Sequence, residues 1–147
     1  MPRQQRSADV VWEGNLARGH GTIQAGSGAL RDIEISQPTR FGDADGHTSP
    51  EELVAAAFAG CFSMFLSGVL TKADTPPERL EARALVTLDE VGNGHRITTI
   101  DLSVTGRVPG IDEEAFQQAA RAAEQGCPIS NVLRGNAEIR LDARLET

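Results

Sequence analysis

The chain has 147 residues, of which 39% are hydrophobic and 24% are charged, and its formal net charge is −7. This length suits one domain with a hydrophobic core, and the charged fraction is that of a globular rather than a disordered chain. Because a nucleic-acid surface needs clustered basic residues, the acidic balance argues against a nucleic-acid partner.

The amino-terminal segment indicates a cytoplasmic protein. The segment MPRQQRSADVVW has basic residues but lacks the apolar core of a secretory signal peptide. In a reducing compartment, the two cysteines are more often catalytic, redox-active or simply buried than joined in a permanent disulfide. The three scattered histidines add no metal-ligand spacing, so we predict neither a metal nor another cofactor.

The first forty residues are typical of short strands separated by glycine turns. We predict strands over residues 8–16, 21–25 and 29–41, followed by a loop over residues 43–48. Arg40 lies near the end of the third predicted strand.

A capping box begins the next element, a long apolar helix. Ser49 is the predicted N-cap, Pro50 is the first helical residue, and the Glu52 side chain is placed to bond back to the cap. Residues 53–70 carry no charge, and about eighteen apolar residues is the lower limit for spanning a bilayer. The run contains Ala, Gly and Ser and is alone in an acidic chain. We therefore predict a buried central helix rather than a membrane span.

After residue 77 the hydrophobic pattern takes a period of two. Strands are predicted over residues 80–91 and 95–108, and Gly92-Asn93-Gly94 between them is a hairpin signal. The remaining predicted elements are a helix over residues 113–125 capped by Asp112 and ended by Gly126, a short helix from Cys127 to about Gly135, and a strand over residues 137–145.

This order of elements predicts an α+β fold, with residues 1–147 forming one domain in which an antiparallel sheet wraps a buried central helix. One such sheet cannot cover a helix that is apolar on every side. A second copy of the chain would supply the missing cover, so we predict a two-fold homodimer.

The local sequence gives the two cysteines different expected reactivities. Cys127 precedes Pro128 at a predicted helix start, where free backbone N–H groups and the helix dipole favour a thiolate. The alternative is that the cap simply needs a small residue. Cys61 lies in the middle of the apolar helix, where burial disfavours the thiolate. Alone it would be an inert core cysteine, and its reactivity would require a nearby cation.

Both cysteines stand in motifs with a specific spacing. Glu51, within the segment TSPEEL, lies ten residues before Cys61 of AGCF, and Cys127 of GCPIS lies sixty-six residues after Cys61. This pattern resembles the OsmC/Ohr family of hydroperoxide reductases. Four further motifs are similar to the osmotically inducible branch of that family: WEG at 12–14, RGHG at 18–21, TRF at 39–41 and VPGID at 108–112.

The resemblance implies a role for each of four residues. Cys61 matches the peroxidatic cysteine, which attacks the O–O bond and becomes a sulfenic acid. Cys127 matches the resolving cysteine, which condenses with that sulfenic acid to form a disulfide. Arg40 matches the arginine that stabilises the thiolate and polarises the peroxide, and Glu51 matches the carboxylate that holds this arginine.

The resemblance also implies the substrate and the reductant. It suggests organic hydroperoxides, alkyl or lipid, and an external dithiol of the lipoyl type rather than thioredoxin. An apolar wall of Phe58, Phe62 and Phe65 would favour such substrates. Arg18 is a further candidate for the pocket, although a surface ion pair is the commoner role of an arginine.

Helix geometry predicts that each site is shared between two chains. Ten residues separate Glu51 from Cys61, which on one continuous helix is roughly 15 Å along the axis and about 80° around it. A glutamate cannot cover that distance. If two helices cross near Ala56 in an antiparallel two-fold pair, Glu51 of one chain lies level with Cys61 of the partner subunit.

Two other functions stay open at this point. In the first, a sensing or binding module uses the Cys61–Cys127 disulfide as a signal, without turnover. In the second, a stress-related dimer has cysteines that only fill the core. Arg40 and Glu51 favour the peroxidase, because a sensor needs a reactive thiol but no pair of residues that positions a peroxide.

Overall fold

The computed structural model of the protein describes residues 3–146. These residues form two compact units, the first ending at Leu53 and the second beginning at Val54. The first contains an antiparallel sheet and a short helix, and the second contains a mixed sheet and two further helices. One long helix begins in the first unit and continues into the second.

The first unit is built on three strands in the order β1-β2-β3, all antiparallel: β1 Ala8–Glu13, β2 His20–Ala25 and β3 Ile33–Ile35. The first two confirm the sequence prediction to within three residues.

The third predicted strand is wrong beyond Ile35, because a short helix, α1 Gln37–Phe41, follows it. Ser36 is its N-cap, and the Ser36 hydroxyl accepts a hydrogen bond of 3.3 Å from the Thr39 backbone N–H. Pro38 fits the first turn, where no intrahelical donor is needed. Arg40 therefore lies on a helix and not on a strand.

Helix α2, Pro50–Lys72, begins at the predicted capping box and runs without a break through Cys61. The Ser49 hydroxyl accepts from the Glu52 backbone N–H at 3.1 Å. The second half of the box differs from the prediction, since the Glu52 carboxylate accepts from the Thr48 hydroxyl at 2.7 Å instead of from the cap backbone. The continuity of α2 satisfies the condition on which the shared-site prediction depends.

Only one stripe of α2 is buried in the single chain. Phe58, Phe62, Leu66 and Leu70 recur every four residues and are buried, whereas Met64 is 78% exposed. The described elements of one chain cover α2 along one stripe only, as expected if a single sheet cannot cover the whole helix. Length and composition alone would also allow α2 to cross a membrane.

The second sheet has the strand order β4-β5-β6, with β4 Arg79–Val91, β5 Gly94–Arg107 and β6 Glu138–Leu145. The hairpin between β4 and β5 confirms the prediction, and Gly92 in its turn has a φ of 61°, which favours glycine. However, β6 pairs with β5 in the parallel direction. The predicted all-antiparallel sheet is thus wrong at this strand, because a helical crossover of this length lets the chain return parallel.

That crossover contains α3 Glu113–Gly126 and α4 Pro128–Leu133. Asp112 caps α3 as predicted, its carboxylate accepting from the Ala115 backbone N–H at 2.8 Å. Helix α3 includes Gly126, so the helix ends one residue later than predicted. The buried core unites the stripe of α2 with β5 and α3, and its members include Ile100, Leu102, Val104, Phe116, Ala120, Ala123 and Cys127.

Candidate functional site

In the first unit, Arg40 and Glu51 form a bidentate ion pair. Arg40 Nε donates to Glu51 Oε1 at 2.9 Å, and Arg40 Nη2 donates to Glu51 Oε2 at 2.7 Å. Two parallel charge-assisted bonds fix both the position and the plane of the guanidinium. Its central carbon also lies 5.3 Å from the centre of the Phe41 ring, a distance typical of a cation–π contact.

The ion pair keeps both groups charged at neutral pH. The hydrogen bonds to Glu51 raise the pKa of Arg40, and the same bonds lower the pKa of the Glu51 carboxyl, although burial acts in the opposite direction. These bonds use Nε and Nη2, so Arg40 Nη1 can still donate to an anion. The side chain of Arg40 is 36% exposed and that of Glu51 is 13% exposed. Arg40 is therefore a fixed cation with an accessible edge.

In the second unit, Cys61 and Cys127 are free thiols, and Cys61 packs against the buried core that contains Cys127. Cys127 is completely buried, and Cys61, on α2, is partly exposed. Burial raises the pKa of the Cys127 thiol, and a hydrogen bond with Cys61 raises it further. Cys61 is therefore a neighbour of Cys127 at the edge of the same core.

The expectation that the helix start favours a Cys127 thiolate is wrong for the single chain. The backbone N–H groups of Ser130 and Ile129 lower the pKa of Cys127, although its side chain accepts no cap hydrogen bond from the helix. Desolvation is nevertheless the largest effect, because Cys127 lies in the hydrophobic core. The thiol form of Cys127 is therefore favoured at neutral pH.

The three predicted pocket phenylalanines lie in different environments. Phe58 and Phe62 are completely buried in the core. Phe65, one helical turn after Cys61, is 38% exposed, and its ring lies so close to Gly126 that a Cβ added there would be 2.6 Å from ring carbons. Phe65 thus borders the segment that carries Cys127. A substrate-binding role for the three rings stays a prediction.

Arg18 lies exposed after β1, where its backbone N–H donates to the Asn15 side chain at 2.8 Å. Its place in a substrate pocket also stays a prediction. Within residues 3–146, no three His, Cys, Asp or Glu side chains are grouped so that they could hold a metal ion.

Sequence reasoning missed a polar cluster made by Glu124, Ser130 and Arg134, which lie before and after Cys127 in the sequence. A signal for it was present. Phe116 and Ala120 belong to the buried face of α3, and the same spacing of four leads to Glu124. A charged residue that continues the apolar stripe of a helix indicates a buried polar contact.

The chain is similar to proteins of one family along most of its length. A family model described as OsmC-like protein matches residues 42–142. The chain is 44% identical to Peroxiredoxin OsmC of Escherichia coli (strain K12) over 142 residues, which cover 97% of each chain.

Solved structures show the same similarity. An organic hydroperoxide resistance protein from Elizabethkingia anophelis matches with a TM-score of 0.79 and 25% identity, covering 99% of both chains. The organic hydroperoxide resistance protein OhrB of Bacillus subtilis matches with a TM-score of 0.73 and 32% identity, covering 94% of this chain and 98% of that one.

Proposed function

Because the chain belongs to the OsmC-like protein family, we propose that it is a cysteine peroxidase that reduces organic hydroperoxides with Cys61 and Cys127. The observation that carries this proposal is that two free thiols, one partly exposed and one buried, lie at the same core, where Cys61 raises the pKa of Cys127. The names of its relatives, peroxiredoxin and organic hydroperoxide resistance protein, support the same reaction and substrate class.

In the first proposed step, the Cys61 thiolate attacks the terminal oxygen of the hydroperoxide. The O–O bond breaks, Cys61 becomes a sulfenic acid, and the alkoxide takes up a proton and leaves as an alcohol. The partial exposure of Cys61 supports this role, because a peroxide reaches it before it reaches Cys127. Arg40, held by Glu51, is proposed to stabilise the thiolate and to polarise the peroxide.

In the second proposed step, the sulfur of Cys127 attacks that of the Cys61 sulfenic acid. The S–S bond forms, the S–O bond breaks, and the released hydroxide and the thiol proton leave as water. An external dithiol, for which we propose the lipoyl type, then reduces the disulfide. The raised pKa of Cys127 supports this order, since a neutral thiol does not compete for the peroxide.

The assembly and location are further proposals. We propose a cytoplasmic two-fold homodimer that does not span a membrane and in which residues 1–147 form one domain. The coverage of 97% of the Escherichia coli relative supports the single domain. The uncovered side of α2, with Met64 78% exposed, supports burial against a second copy of that helix.

Counting thiols tests the proposed function directly. One equivalent of cumene hydroperoxide should remove both thiols from each chain within seconds, and dihydrolipoamide should then support repeated turnover. A chain with both cysteines replaced by serine, in which peroxide consumption is measured, controls for oxidation of other side chains. Loss of two thiols without turnover would favour the redox sensor, and slow loss would favour cysteines that only fill the core.

Replacing Arg40 by methionine should lower the rate of Cys61 oxidation by about tenfold or more, which corresponds to about 1.4 kcal/mol of transition-state stabilisation. Lysine should restore part of the rate, because it keeps the charge but lacks the planar fork that binds Glu51. The rate is measured from kcat/KM with cumene hydroperoxide.

Arg31→Met is the matched control, since Arg31 is an exposed arginine of the same unit whose side chain, within residues 3–146, bonds to the Gly28 carbonyl and not to a carboxylate. It should keep the parent rate. A parent rate in Arg40→Met would remove the arginine from the mechanism.

A further inference from the structure

Glu124 and Ser130 are the buried polar side chains of the described residues, and both flank Cys127. A carboxylate in a protein core is unfavourable unless hydrogen bonds or an opposite charge compensate its lost hydration. Glu124 is in the last turn of α3, and Ser130 is in α4. The core of this small unit therefore contains a polar group that packing alone does not require.

Each acceptor of this cluster is satisfied. Ser130 Oγ donates to Glu124 Oε1 at 2.7 Å, and Gln125 Nε2 donates to Glu124 Oε2 at 3.2 Å. Arg134 Nη2 lies 2.7 Å from Glu124 Oε1, 2.9 Å from the Glu124 backbone oxygen and 3.0 Å from Ser130 Oγ. A fully bonded network of this kind is rigid, because moving one member leaves others buried without partners.

Cys127 lies between α3 and α4, the two helices that this network joins. Its backbone N–H donates to Ala123 at 2.9 Å as the end of α3, and its carbonyl accepts from Asn131 at 3.1 Å as the start of α4. Glu124 lies three residues before Cys127, and Ser130 lies three residues after it. The hydrogen bond between Glu124 and Ser130 therefore fixes the turn between α3 and α4 that contains Cys127.

Disulfide formation requires a specific geometry of the two cysteines. The two sulfurs must approach to about 2.05 Å with a restricted dihedral angle, so both backbones must be held at the right separation. Cys61 lies within a long continuous helix, whereas Cys127 lies between two helices, of which α4 has only six residues. Without a further constraint, the backbone of Cys127 at the start of α4 would be held less firmly than the backbone of Cys61 in α2.

We propose that Glu124, Ser130 and Arg134 are positioning residues that hold Cys127 against Cys61 for the condensation step. This inference rests on the proposed function, since it concerns the step in which the Cys61 sulfenic acid and the Cys127 thiol give the disulfide and water. Among the described residues, the side chains of this network bond to one another, to Gln125, to Asn131 and to the Glu124 backbone, and none bonds to a cysteine sulfur. The network therefore acts on the second oxidation step and leaves the first unchanged.

The test follows the two oxidation steps separately in the full chain. After one equivalent of cumene hydroperoxide, samples are quenched at set times. Mass spectrometry then measures the Cys61 sulfenic acid, trapped with dimedone, and the disulfide. Ser130→Ala and Arg134→Met should form the sulfenic acid at the parent rate. Their disulfide should form about ten- to a hundredfold more slowly, the effect of an ångström-scale misplacement.

A second readout separates positioning from a general loss of stability. With excess peroxide, a delayed disulfide leaves the sulfenic acid open to further oxidation, so the sulfinic fraction of Cys61 should rise in both variants. Arg134→Lys retains a donor and should restore part of the disulfide rate. Arg140→Met is the matched control, because Arg140 forms an exposed ion pair with Asp101 on the sheet and should behave like the parent.

The outcomes distinguish this inference from the function on which it rests. If the parent forms no sulfenic acid on Cys61, the proposed function fails. If the parent forms sulfenic acid and disulfide as expected, and Ser130→Ala and Arg134→Met close the disulfide at the same rate, only the positioning role is overturned. If Ser130→Ala fails to fold, the comparison of Arg134→Met with Arg134→Lys decides the question. The Arg134 side chain is 37% exposed, so we expect these two variants to fold.

Discussion

Cys61→Ser should abolish peroxide consumption, whereas Cys127→Ser should still form a sulfenic acid on Cys61 and then fail to cycle. Cys61 is partly exposed, and Cys127 is completely buried with a raised pKa. The nucleophile must meet the peroxide as a thiolate, so we expect the first oxidation on Cys61. Without Cys127, the sulfenic acid has no resolving thiol and should be oxidised further to sulfinic acid.

Mass spectrometry after a single equivalent of hydroperoxide checks both halves of this prediction. The Cys61→Ser chain should leave Cys127 reduced, and the Cys127→Ser chain should carry its first added oxygen on Cys61. Dihydrolipoamide should support turnover in the parent alone. A first oxidation found on Cys127 would reverse the two roles and would mean that the short helix activates its cysteine despite burial.

Mixing two inactive variants should restore activity if the sites are shared. Glu51 and Cys61 are ten residues apart on the uninterrupted helix α2, which separates them by roughly 15 Å along its axis. A two-fold antiparallel pair of these helices, crossing near Ala56, would place Glu51 level with Cys61 of the partner subunit. Small residues at Ala55, Ala57 and Gly60 would let the helices approach closely.

The complementation uses Cys61→Ser chains and Glu51→Ala chains, each nearly inactive alone. In a mixed dimer, one site carries both lesions and the other is intact. An equal mixture should therefore recover about a quarter of the parent activity, because half of the dimers are mixed and each has one working site of two.

Two controls define the result. Cys61→Ser mixed with Cys127→Ser should recover nothing, since both cysteines of a site come from one chain in this arrangement. Subunit exchange is verified with chains of different mass. Mixtures that exchange subunits and yet stay inactive would exclude the shared site, and Glu51 would then act within its own chain.

The sequence determined the elements whose signals are local. Ser49 and Asp112 cap their helices through bonds to residues three positions later, and Gly92 occupies a turn between two alternating strands. Each of these interactions closes within a few residues, so the order of neighbours along the chain contains all the information needed. The motifs around Cys61 and Cys127 likewise indicated the family that the comparisons show.

Only the tertiary structure decided how distant segments meet. Nothing near residue 138 specifies that β6 joins β5 in the parallel direction, since that depends on how the intervening helices pack. The sequence before Pro128 favoured a Cys127 thiolate, yet burial reverses the preference, because desolvation depends on every element around the sulfur. The bonds of Arg134, at the end of α4, to Glu124 of α3 join residues ten positions apart, and the packing of α4 against α3 creates them.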